Sequence, residues 1–222
     1  RGMSSAASDV YKRQPLLDVT FDGIHIMNQD IINSEPEILI TLKDENTILM
    51  LNEDSDTNNI QVYLMAPNQN TWTRIPYQHQ QQTILNYVLA DDQNPFKIVY
   101  NPIFSTDGIY KLKVQGRDKS GNISGDSDYE ISFEVVTRST ITNVFNYPNP
   151  FSTKTYFIYT LTGSLIPDEL NLTILTVSGK VVKQIDLLEN ESIRIGHNKT
   201  QYYWDGRDEF GDLLANGVYL YK

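Results

Sequence analysis

The side chains able to do chemistry are 3 histidines and 28 carboxylates, with no cysteine. His25, His79 and His197 lie far apart, and none sits in a ligand spacing such as H-E-x-x-H, so each reads as structural or solvated. Lack of cysteine removes disulfides, thiolate catalysis and Cys-ligated zinc together. Neither a G-x-S-x-G elbow, a G-x-G-x-x-G turn nor a Walker loop is present. The carboxylates are more suggestive. Asp118, Ser120, Asn122, Asp126 and Asp128 crowd one loop, and oxygen ligands suit calcium. The EF-hand template nevertheless fails, because Ile123 replaces its glycine and Tyr129 its bidentate glutamate. Asp118, Asn122, Asp126 and Asp128 are therefore calcium candidates against a competing reading, in which Asp-x-x-Gly-Asn makes a turn through side-chain-to-backbone bonds. A second cluster, Asp205, Asp208, Glu209 and Asp212, reads as turn chemistry in the same way. A paired-carboxylate glycosidase needs a cleft between its acids, and nothing in the pattern suggests one. The 14 tyrosines could stack on sugars. Yet Tyr63, Tyr100, Tyr156, Tyr159, Tyr202, Tyr203 and Tyr221 fall in strand-like runs, where tyrosine is favoured for packing.

The elements that would position these residues are strands. Leu17, Val19 and Phe21 alternate with polar neighbours, as do Ile38, Ile40 and Leu42, and Ile60, Val62 and Leu64. No window of eleven or more residues has helical periodicity, and Gln78–Gln82 reads as a loop. The run from Gly108 to Gly116 is the clearest strand. Its preamble, Asp107-Gly-Ile-Tyr110, matches the tyrosine corner of immunoglobulin-like sandwiches, with Leu112 where an inter-sheet cysteine would stand. Tyr129, Ile131, Phe133 and Val135 then supply a closing strand, ending a first domain near Arg138. Asn216-Gly-Val-Tyr219 repeats the corner 109 residues later. A single residue, Lys222, follows Tyr221, so the second domain is expected to be truncated, with Val218–Tyr221 as its penultimate strand. Tyr156–Leu161 is another strand, and Leu170, Leu172 and Ile174 alternate in the next. Ser178-Gly179 is expected to make a two-residue hairpin turn into Val181–Leu187.

The expected fold class is thus all-β: two tandem immunoglobulin-like β-sandwiches, at residues 15–138 and 143–222, the second lacking its last strand. Residues 1–14 resemble translated adapter sequence or a disordered leader and are set aside. The net charge of −10 becomes 15 − 27 = −12 without that segment's three basic residues and one acid. This charge argues against nucleic-acid or anionic-lipid partners. Uninterrupted apolar runs such as Ile48–Leu51 are too short to span a bilayer.

Three stretches carry a family resemblance. They are Tyr147-Pro148-Asn149-Pro150-Phe151, Leu175–Val182 around Gly179, and Trp204-Asp205-Gly206 through Gly211 and Asn216-Gly217 to Tyr219. In these the second domain resembles the flagellar hook-capping (FlgD-type) immunoglobulin-like domain. The version in question closes Bacteroidetes proteins exported by the type IX secretion system. More broadly, Asp18–Lys222 is similar to the tail that follows the peptidase domain of gingipain-like cysteine peptidases, the group that includes the type IX sortase. The resemblance implies a secreted or cell-surface protein, with an upstream domain of the same protein and the secretion machinery as partners. It assigns the motif residues structural roles, with no cofactor. The family's catalytic cysteine and histidine would lie upstream, so this chain is expected not to be an enzyme. The runner-up expectation is a surface-binding module for glycans or calcium.

Overall fold

The computed structural model describes residues 14–44, 50–125, 127–189 and 192–222. The adapter-like leader falls, except for Gln14, outside the described residues, as does the calcium candidate Asp126. The chain is all-β and divides into two compact units, Arg1–Thr137 and Arg138–Lys222. No helix among the described residues is long and apolar enough to cross a membrane.

In the first unit the strands begin with β1 (Leu16–Phe21), β2 (Asp30–Ile32), β3 (Ile38–Lys43), β4 (Ile60–Met65) and β5 (Thr73–Ile75). Two short strands, β6 (Gln78–His79) and β7 (Gln82–Thr83), precede β8 (Leu85–Val88), β9 (Phe96–Tyr100), β10 (Gly108–Gly116) and β11 (Tyr129–Val135). They form a β1-β3-β9-β8 sheet and a β2-β11-β10-β4-β5 sheet. All pairs are antiparallel except β2 with β11. Alternation dictates which side chains are enclosed. Ile38, Ile40 and Leu42 from one sheet and Leu112, Val114 and Phe133 from the other belong to one buried cluster, which makes the unit a sandwich. Each such side chain is worth about 1.5–3 kcal/mol of burial. Phe133 is the hub, its ring 5.3 Å from Phe21, 5.5 Å from Phe104 and 5.8 Å from Tyr110.

The glutamine run departs from the loop expected of it. Gln78 pairs with Thr83 and His79 with Gln82 in a small hairpin. Gln80 and Gln81 turn it with φ of 48° and 69°. Two consecutive positive φ values make the primed turn that suits strand twist, but glutamine does not advertise it as Asn-Gly would. The hairpin's base is held from outside, by the Ile84 N–H on the Tyr77 carbonyl (2.9 Å) and by Tyr77 Oη on the Ile60 carbonyl (3.1 Å).

The second unit comprises β12 (Thr140–Tyr147), β13 (Thr155–Thr162), β14 (Asn171–Thr176), β15 (Val181–Asp186), β16 (Gly196–Trp204) and β17 (Tyr219–Tyr221). Its sheets are β12-β13-β16 and β15-β14-β17. Strand β12 starts at Thr140, between the two domain ranges expected from the sequence. Phe157, Tyr159, Leu161 and Trp204 from one sheet enclose a core with Leu172, Ile174 and Val182 from the other. A bulge separates the Tyr156–Tyr203 pair from the Ile158–Lys199 pair. Thr200 fills it, its hydroxyl accepting from the Phe157 N–H (3.0 Å) and donating to the Tyr202 carbonyl (2.6 Å). The β14–β15 connection is a three-residue loop, Val177-Ser178-Gly179, rather than the two-residue turn expected. The Thr176 N–H reaches the Lys180 carbonyl, and the Gly179 N–H the Thr176 carbonyl. Gly179, at φ +86°, supplies the left-handed residue that such a loop needs.

Candidate functional site

Two of the three stretches that carry the resemblance meet in space at one aromatic node. The Phe151 ring lies 5.4 Å from Trp204, and Trp204 lies 5.3 Å from Tyr219 at 77°. Trp204 is buried, and its indole N–H donates to the Arg207 carbonyl at 2.9 Å. Asp205 Oδ1 accepts from the Arg207 N–H at 3.2 Å, and Gly206 turns the chain at φ +82°. The Gly206 carbonyl then receives the Leu214 N–H. Tyr219 Oη donates to the Ala215 carbonyl at 2.7 Å. Gly217 takes no positive φ, and Asn216 is exposed.

The approach to Phe151 is fastened by its own polar groups. The peptides before Pro148 and Pro150 are cis. Buried Thr155 donates its hydroxyl to the Pro148 carbonyl (2.8 Å) and accepts from Asn146 Nδ2 (3.1 Å). Asn149 Nδ2 donates back to Asn146 Oδ1 (3.2 Å). The motif's polar atoms are thus spent on its own turns. An arrangement in which each donor already has a backbone or neighbouring acceptor builds a rigid corner and offers no poised nucleophile or base.

Both carboxylate clusters resolve into one device used twice. Asp118 Oδ1 accepts from the N–H groups of Ser120 (2.8 Å) and Asn122 (2.9 Å), and Asn122 Nδ2 reaches Asp118 Oδ2. Asp208 Oδ1 accepts from the N–H groups of Phe210 and Asp212, each at 2.9 Å. Arg117 Nη1 donates to the Gly121 carbonyl, and Arg207 Nη1 to the Gly211 carbonyl. Gly121 and Gly211 take φ of 84° and 89°. Sequence reasoning that weighed these acids as ligands missed the signal. Gly116-Arg-Asp-x-x-Gly-Asn-Ile123 recurs 90 residues later as Gly206-Arg-Asp-x-x-Gly-Asp-Leu213. Asp128, the remaining described calcium candidate, accepts from Gln115 Nε2 at 2.7 Å.

The remaining titratable groups are scattered. His25 Nε2 lies 2.6 Å from Asp18 Oδ1 on the surface, His197 Nδ1 lies 2.9 Å from Thr160 Oγ1, and His79 is exposed on β6. Among the described residues no three His, Cys, Asp or Glu side chains gather to hold a metal. A cavity of about 260 Å³ in the first unit is bordered by Leu42, Leu51, Ala90, Asp91 and Asp118. Of its aspartates, Asp91 is a turn residue like Asp118: hydrogen bonds from the Gln93 N–H and from Asn94 hold the Asp91 carboxyl below the usual carboxylate range. The described lining contains no histidine or serine.

No protein-family model matches the sequence, and no curated protein matches it. Among solved structures, the chain is similar to latent dimeric PorU from Porphyromonas gingivalis, at 15% identity and a TM-score of 0.39. That similarity covers 100% of this chain and 19% of the PorU chain.

Proposed function

We propose that this chain is a non-catalytic accessory region of a secreted bacterial protein, with the first sandwich as spacer and the second as scaffold of a type IX export and surface-attachment signal. The observation that carries the reading is the convergence of Phe151, from one family-like stretch, with Trp204 and Tyr219, from another, on a node whose indole is buried. A sorting tail must fold on its own and present the same shape on every cargo. A node fastened by backbone hydrogen bonds gives such a shape. A gingipain-like peptidase domain preceding it fits the broader resemblance, and the absence of cysteine places no thiolate nucleophile in this chain.

The test is a chimera. Residues 138–222 replace the matching part of the tail of a type IX cargo that keeps its own terminal strand. The cargo is expected at the cell surface, and the same chimera carrying Trp204→Ala in the periplasm. A folded wild-type chimera retained in the periplasm would overturn the export reading. Separately, turnover of peptide or ester substrates by the purified chain would overturn the non-catalytic one.

A further inference from the structure

We propose that the outward face of the β12-β13-β16 sheet binds an acidic polysaccharide, a glycan with carboxylates spaced along otherwise neutral sugar rings. Register defines this face. Tyr147 lies opposite Tyr156 and Phe145 opposite Ile158. On the other side, Tyr203 lies opposite Tyr156 and Lys199 opposite Ile158. The alternate residues Phe157, Tyr159 and Leu161 are buried in the core, so these partners point away from it. Three tyrosines from three neighbouring strands therefore stand in one row across the sheet. Tyr147 is 67% exposed, and Phe145 and Tyr203 are each 47% exposed.

Two lysines border the row. Lys199 Nζ lies 4.3 Å from the Tyr156 ring centre, and Lys154 Nζ lies 4.9 Å from that of Tyr203. Among the described residues neither lysine pairs with a carboxylate; the ion pairs there belong to His25, Lys119 and Arg207. The first unit supplies the contrast. Lys113 rests over Tyr63 and Trp72 in the same manner, at 5.1 and 4.6 Å, but Glu130 stands opposite it in register. On the second face the ring-supported Lys199 stands opposite Ile158 in register, with no acid at that position.

The chemistry of this pairing selects the ligand. A pyranose presents a face of C–H groups that packs on the electron-rich face of tyrosine. An ammonium resting on a ring keeps donors turned to solvent, where a carboxylate can take them. Nucleic acid fits less well, because a chain of charge −10 repels a polymer charged at every residue. A glycan with one acid per two sugars meets less of that repulsion. The proposal stands on this sheet alone and does not depend on the export reading.

Calorimetry and affinity electrophoresis of the whole 222-residue chain with hyaluronan, which carries one glucuronate per disaccharide, test it. Saturable binding is expected, with none to neutral dextran. Lys154→Glu combined with Lys199→Glu should weaken binding by about tenfold or more. Tyr147→Ala with Tyr203→Ala should also weaken it, while Lys113→Glu leaves it unchanged. The four substituted residues of the face are all exposed, and an unchanged melting temperature confirms that each variant folds. No binding at millimolar disaccharide overturns the proposal. So does equal loss with Lys113→Glu, or tighter binding of single-stranded DNA or polyglutamate than of hyaluronan.

Discussion

The two units use the same two local devices in opposite order. In the first, the tyrosine corner opens β10, with Tyr110 Oη on the Thr106 carbonyl at 3.0 Å, and the Asp118 loop ends that strand. In the second, the Asp208 loop comes first, after β16, and the corner of Tyr219 opens β17. The corners are 109 residues apart and the loops 90, so no single offset superposes both. Each device closes a turn by giving backbone groups a side-chain partner, and it works wherever a strand must end or begin. A repeated turn therefore reports shared local chemistry and does not by itself establish equivalent places in the two sandwiches. Depth differs as well. Asp118 is 1% exposed and Tyr110 5%, whereas Asp208 and Tyr219 are only half-buried.

That difference in depth can be tested by substitution. The largest effect is expected at the node of the second unit, where Trp204→Ala should cost about 3–5 kcal/mol. Calorimetry should then lose the second unit's transition and keep the first; loss of both would mean that the units do not fold separately. Next come the loops. Asp118→Ala leaves two N–H groups without their carboxylate in a buried setting and should cost about 1.5–3 kcal/mol. Asp208→Ala should cost less, because water reaches its loop; equal losses would erase the distinction of depth. Tyr110→Phe and Tyr219→Phe remove one hydrogen bond each, worth about 0.5–1.5 kcal/mol by chemical denaturation, with the larger loss expected at Tyr110.

A smaller effect is expected from acid. Hydrogen bonds from the Thr137 hydroxyl and N–H hold the Asp107 carboxyl below the usual carboxylate range. A group whose folded pKa is depressed stabilises the fold above its unfolded pKa of about 3.9 and loses that contribution as pH falls through its folded value. The protection factor of the Thr137 amide, its exchange relative to the intrinsic rate at each pH, should therefore fall below about pH 4, the ordinary aspartate value, and Asp107→Asn should flatten that dependence. Calcium should do least of all. With the Asp118 and Asp208 carboxylates already accepting backbone N–H groups, millimolar calcium is expected to leave both melting transitions in place.

Much of the fold is legible because alternation is a strong signal when one face is buried. Ile38, Ile40 and Leu42 announce β3, and Tyr110, Leu112 and Val114 announce β10, since each places every second side chain in a core. The glutamine hairpin is not legible. Its base is held by Tyr77 through bonds to Ile84 and Ile60, and its turn residues are glutamines, which do not advertise positive φ. The Ser178-Gly179 turn is legible in kind but not in length, because glycine marks the left-handed position without saying how many residues precede it. For the candidate node, Trp204 and the two turns beside it can be read directly, whereas its contact with Phe151 joins residues far apart and needs the sandwich to exist first. The carboxylate loops were open to reading as a repeat. Considered one acid at a time, they invite a metal; aligned, they declare a turn.

The chain has 2 tryptophans, Trp72 and Trp204, and they fall in different units. Trp204 is enclosed in its node, while Trp72 sits partly exposed under the ammonium of Lys113. Each sandwich therefore carries its own emitter, one in a dry environment and one beside a cation and solvent. Red-edge and blue-edge fluorescence can consequently follow the two halves of the molecule side by side in one cuvette, without any label being attached.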